Sequence, residues 1–125
     1  MIGEGVIARF FALLDGRAPG RVSDVLADDF QFELALPGSS GSPPSRVAGG
    51  KAQFVHFLSE RPAGNRGTDI LAYDRHDGLE MVVGRTIGSR FSGTTLAAVI
   101  VDGDGNIKRL IAAISSVDFE VGGGG

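Results

Sequence analysis

The chain has no cysteine and no tryptophan, one tyrosine and only two histidines. Without cysteine there can be no disulfide, no thiolate metal site and no cysteine nucleophile. His56 and His76 have no third ligand at fixed spacing, so no metal site is expected. Basic residues form no run, and a partner surface for nucleic acid needs a positive stripe to neutralise phosphates. No stretch approaches the roughly 20 apolar residues of a membrane span. The opening MIGEGVIARFF lacks a basic leader and a small-residue cleavage site, so it is expected to be helix and the protein cytoplasmic.

What is present suits one ordinary core. The chain has 125 residues, 42% of them hydrophobic, with a formal net charge of −3. That length fits a single domain, expected over residues 1–121, and the terminal glycines 122–125 have nothing to pack and should be disordered.

Val6, Ile7, Phe10, Phe11 and Leu14 recur at helical spacing, and Gly16 followed by Pro19-Gly20 ends that helix. A short second helix carries Val22, Val25 and Leu26, with Asp28-Asp29 at its end. From Phe30 the period becomes two, with Phe32, Leu34 and Leu36 on one greasy face. Residues 37–49, rich in Pro, Gly and Ser, read as a long loop. A third helix holds Phe54, Phe57 and Leu58 and stops at Arg61-Pro62. Four strands follow, near residues 68–76, 79–89, 92–101 and 107–117. Asp77-Gly78 marks a hairpin between the first two, and the turn DGDG lies between the last two. The plan is α+β: a strongly curved, mostly antiparallel, cone-shaped (cystatin-like) sheet wrapped around three N-terminal helices.

In order and spacing, VLADDFQFELALPG, AGGKAQFVHFL and VDGDGNIKRL resemble the nuclear transport factor 2-like superfamily, with its steroid Δ-isomerases, epoxide hydrolases and SnoaL-like cyclases. The resemblance spans Val6 to Ser116 and implies a deep apolar cavity and a dimer built on the outer sheet face. It also implies which positions would carry chemistry. The isomerase tyrosine falls at Phe10, its general base at Leu34 and its protonated aspartate at Ala97. That enzyme's neutral carboxylic acid is itself a worked example of an apolar site holding a proton. The epoxide hydrolase aspartate of the last strand falls at Ala112, and LEMVVGRT lacks the Arg-x-Asp of its middle strands. Proton transfer next to a ketone needs a base and an oxyanion donor, and phenyl, isobutyl and methyl groups supply neither. The expected wall of the cavity is Phe10, Phe32, Leu34, Leu58, Val82, Gly84, Thr95, Ala97, Leu110 and Ala112.

Glu80 is the remaining candidate for catalysis, with Tyr73 as a donor beside it. Strand alternation puts Glu80 on the face of Val82, Gly84 and Thr86, where apolar walls would raise its pKa. Its closeness to the Asp77-Gly78 turn favours the other reading, a side chain in water. Gly84 marks either a bend in the sheet or room for a ligand. His76 beside Asp77 and His56 on the third helix are expected in solvent. The DGDGN turn lacks the glycine and the closing glutamate of a calcium loop, with Ile107 and Ala113 in their places. It is no nucleotide loop either, since Lys108 stands where the third glycine should be. No cofactor is called for.

Three functions compete. The first is a binder of a small hydrophobic molecule (polyketide, terpenoid or steroid-like) without steroid-isomerase catalysis. The second is an isomerase, cyclase or hydrolase with a relocated site at Glu80. The third is a dimeric interaction module. The outer positions Leu96, Ala98, Ile100, Ile107, Ile111 and Ala113 are apolar or small, and predict a homodimer through the sheet.

Overall fold

The computed structural model describes residues 5–16, 19–38, 43–60, 67–87 and 92–115. The expected glycine tail, the Arg61-Pro62 stop and the end of the last strand at 116–117 lie outside them. Among the described residues the order is helix α1 (Val6–Leu14), a 3-10 helix (Pro19–Val25), strands β1 (Leu26–Leu36) and β2 (Ser45–Gly50), then helix α2 (Lys51–Ser59). Strands β3 (Gly67–His76), β4 (Leu79–Ile87), β5 (Ser92–Val101) and β6 (Ile107–Ser115) complete the chain. They form one sheet in the order β2-β1-β6-β5-β4-β3, antiparallel except where β1 runs parallel to β6. No helix among these residues is long and apolar enough to cross a membrane.

Two expectations are corrected at the start of the chain. The second helical segment is a 3-10 helix, and Leu26 to Asp29 already belong to β1. A seven-residue PGRVSDV with valines at positions 22 and 25 has i, i+3 spacing, which the three-residue turn of a 3-10 helix brings onto one face. Residues 37–49 are not all loop: Ser45–Gly50 pairs antiparallel with β1, Val47 opposite Leu34. As an edge strand of mostly polar and glycine residues, β2 has little hydrophobic alternation to reveal it.

The sheet's inner face holds the core. Ile7, Val22, Val25, Phe30, Phe54, Val99 and Ile107 are its most completely buried side chains. Phe54 of α2 is the hub, with ring centroids 4.8 Å from Phe32, 5.4 Å from Phe30 and 6.0 Å from Phe10. Full burial of one such ring stabilises by roughly 1.5–3 kcal/mol.

Two β-bulges change which residues face that core. Between β3 and β4 the register slips so that Leu71 is extra: Ile70 lies opposite Gly84 and Ala72 opposite Val83. Between β5 and β6 Lys108 is extra, with Ile100 opposite Arg109 and Val101 opposite Ile107. A single extra residue inverts the side-chain parity beyond it. Ile107, expected on the outer face, is therefore in the core at 0% exposure.

Candidate functional site

Inner-face side chains from both helices and four strands enclose a cavity of about 300 Å³. Helix α1 contributes Phe10, Phe11, Leu14 and its C-cap Asp15; helix α2 contributes Phe54 and Phe57. Strand β1 gives Leu34 and Leu36, β5 gives Thr95 and Ala97, and β6 gives Leu110, Ala112 and Ile114. Thr68 of β3 and Pro37 after β1 complete the wall.

The sheet register explains the smooth floor. Leu34 of β1 is the direct partner of Ala112 on β6, and Ala112 of Ala97 on β5. Across three strands the floor is thus isobutyl, methyl, methyl. Phe10 looks onto it from α1, its ring 5.4 Å from that of Phe11. The four positions matched to catalytic groups by resemblance therefore meet in one cavity, and all four are apolar.

Of the ten expected wall residues, Phe10, Leu34, Thr95, Ala97, Leu110 and Ala112 line the cavity. Phe32, Leu58, Val82 and Gly84 do not. Phe32 is spent on Phe54 and on Phe30, 6.2 Å away ring to ring. Leu58 packs into the core, and so does Val82, where α1 crosses β4. Gly84 leaves no opening, because a Cβ there would stand 3.1 Å from the Thr68 methyl, which covers it. The bulge at Leu71 turns Thr68 inward over Gly84, so bend and glycine belong together.

Glu80 is corrected from solvent to interior. It is 3% exposed, yet it does not line the cavity. Its Oε1 accepts the amide of Ile7 at 3.0 Å and its Oε2 that of Val6 at 3.4 Å. The first turn of a helix leaves such amides without intrahelical partners, and a carboxylate also complements the positive helix end. Tyr73 donates its hydroxyl to Glu80. Burial first, then the Glu80 charge, pushes the Tyr73 phenol above its ordinary 10.0, with Arg75 pulling the other way. Gly5 completes this cluster. Its φ is +103°, and a Cβ would come within 2.5 Å of the Tyr73 hydroxyl and 2.6 Å of Glu80 Oε1. Glu80 and Tyr73 together cap α1 from another part of the chain.

The other polar candidates are accounted for locally. Asp102 Oδ1 accepts the amides of Asp104 at 2.9 Å and Asn106 at 3.0 Å, tying the DGDGN turn to itself. His56 and His76 are exposed. The side chain of Thr86 lies outside the described residues. Asp15 and Thr68 went unnoticed in the sequence. For Asp15 a signal exists, since it stands four residues after Phe11 on the same helical face.

On the opposite sheet face Met81, Leu96, Ile100 and Ile111 are exposed by 39%, 52%, 45% and 60%. Ala72, Val83, Ala98 and Ala113 fill a shallow depression between them.

No family model matches the chain, and no curated protein matches its sequence. Solved structures do. One is a candidate ketosteroid isomerase from Kribbella flavida, with a TM-score of 0.69, 21% identity, and coverage of 94% of this chain and 81% of that one. A candidate polyketide cyclase from Streptomyces antibioticus gives a TM-score of 0.73 at 15% identity, covering 90% and 91%. A candidate isomerase of the SnoaL-like family from Agrobacterium tumefaciens gives 0.67 at 12% identity, covering 88% and 94%. At these identities the likeness is one of fold, and sites differ freely within a fold.

Proposed function

We propose, for a chain with the nuclear transport factor 2-like fold, that the cavity binds a small hydrophobic molecule, polyketide, terpenoid or steroid-like in character, without steroid-isomerase catalysis. The observation that carries this reading is the composition of the cavity. Phe10, Leu34, Ala97 and Ala112 replace base and donors with apolar surface in a space of about 300 Å³. That volume is at the lower end for ligand pockets. Apolar burial is favourable by roughly 25 cal/mol per Å², whereas loss of one oxyanion donor alone typically costs about 10²–10³ in rate. Binding outlasts catalysis.

The outer face supports self-association. Leu96, Ile111 and their small neighbours make a mainly apolar patch, with Asp74 on its depression and Glu33 paired to Ile111, the composition of an interface between copies. The relocated-enzyme reading loses support, because Glu80 is committed to the amides of α1 and lies outside the cavity.

Two assays on one sample test the proposal. Displacement of a hydrophobic fluorophore by steroids and terpenoids, with no isomerisation of an unsaturated ketosteroid, supports it. Isomerisation that disappears in Glu80→Gln establishes the enzyme, and no displacement at all leaves the interaction module.

A further inference from the structure

Phe10, Phe11, Phe54 and Phe57 all border the cavity, and the first three are already in contact with other rings. Phe10 lies 5.4 Å from Phe11, edge to face at 74°, and 6.0 Å from Phe54, stacked at 23°. Phe54 is also tilted against Phe30 and Phe32. Phe57 stands one turn beyond Phe54 on the same face of α2, yet among the described residues it has no ring partner. The two also differ in burial. Phe54 is 2% exposed in the core, whereas Phe57 is half-buried at the cavity wall. Aromatic rings attract one another, edge-on or offset, at centroid separations of about 4.5–7 Å, beyond what their buried area alone provides. In Phe10, Phe11 and Phe54 that attraction is used inside the fold. In Phe57 it is open to whatever fills the cavity.

Resting on the reading that this cavity holds a hydrophobic ligand, we propose that the ligand carries an aromatic ring, that this ring packs on Phe57, and that Phe57 selects it over a saturated steroid or terpenoid skeleton. The floor cannot make that choice. Leu34, Ala97 and Ala112 are aliphatic and offer the same dispersion contact to a saturated ring as to an aromatic one. Phe57 adds an attraction that only a second ring returns. Size agrees with this assignment. A water molecule takes about 30 Å³ of liquid, so a cavity of about 300 Å³ holds on the order of ten heavy atoms. That is the scale of two fused rings, and a four-ring skeleton would stand partly outside the wall.

The test uses the intact protein and two alcohols built on one carbon skeleton, 2-naphthol and decahydro-2-naphthol. Both are neutral at about pH 7. Their dissociation constants are measured by displacement of a hydrophobic fluorophore. The aromatic alcohol should bind about 3- to 10-fold more tightly, the fold-change that one ring contact contributes. Phe57→Leu should remove that preference by weakening 2-naphthol while leaving the saturated alcohol nearly unchanged. Phe57→Met should do the same if the leucine variant does not fold. Phe57→Tyr, which retains a ring, should retain the preference. Equal affinities for the two alcohols, or tighter binding of the saturated one, overturns the aromatic ligand while sparing the cavity. So does a preference that survives both Phe57→Leu and Phe57→Met, or one lost equally in Phe57→Tyr. A fluorophore that does not bind, or that neither alcohol displaces, overturns the cavity reading and the aromatic ligand together.

Discussion

Glu80 and Ile7 are separated by 73 residues of chain, and the carboxylate of the one accepts the amide of the other at 3.0 Å. A strand side chain thereby does for α1 what a local N-cap residue usually does, because Gly5 at that position has no side chain to offer. In Glu80→Ala, the buried amide of Ile7 and the half-buried amide of Val6 lose their acceptor, and stability should fall by about 2–3 kcal/mol. Glu80→Gln keeps an acceptor but not the charge and should lose about 1 kcal/mol. Urea unfolding of the three proteins gives the order; equal midpoints would remove the cap.

Tyr73 supplies the pH dependence. Its phenol is raised above 10.0 in the fold, so the folded state holds that proton more firmly than the unfolded chain. The resulting stability is complete below pH 10 and is lost as pH rises through the folded value. Tyr73→Phe should be about 1 kcal/mol weaker at neutral pH, the value of one hydrogen bond, and decline less between pH 10 and 12. Thermal melts across that range decide, and parallel curves for both proteins would contradict the assignment.

Leu34→Asp sets a carboxyl on the apolar floor beside Ala112. At 6% exposure the site should cost on the order of 1–3 kcal/mol, and the new acid should titrate above an ordinary aspartate. Its raised folded pKa means that the variant approaches its parent in acid and falls behind as pH rises. A side-chain NMR titration at an ordinary value would show that position 34 is wet.

Ala97→Leu fills the floor instead. Affinity for a hydrophobic fluorophore should drop by about 10-fold or more, while stability holds or gains up to about 1 kcal/mol. Unchanged affinity would locate probe binding elsewhere.

Ile111→Lys addresses the outer face. At 60% exposure the substitution should leave the fold of one copy intact, and light scattering should report one chain where the parent gives two. A parent already monomeric at micromolar concentration overturns the dimer.

The periodicities of Val6–Leu14 and of residues 30–36 were readable because one face of each is buried, while the other carries Arg9 and alanines in the helix and Gln31, Glu33 and Ala35 in the strand. So was the convergence of Phe10, Leu34, Ala97 and Ala112, which needs only correct strand parity up to each position. Where parity breaks, reading fails. The extra residue Lys108 hid Ile107 in the core, and the extra residue Leu71 brought Thr68 to the cavity. Neither bulge has a local sequence mark. Glu80 was misjudged for a different reason: its partners, the amides of Val6 and Ile7, are backbone groups that no side-chain pattern announces.

Capping α1 from β4 also orders events in time. Nine residues are too few for a helix to persist alone in water. Helix α1 is made before β4, and the group that secures its first turn leaves the ribosome 73 residues later. Until β4 is laid against β5, Phe10, Phe11 and Leu14 have no fixed position, and the cavity they wall does not exist. Non-local closure of this kind is slow compared with local helix formation. The cavity is thus complete only in the last stage of assembly, and refolding should acquire probe affinity after most strand signal has returned.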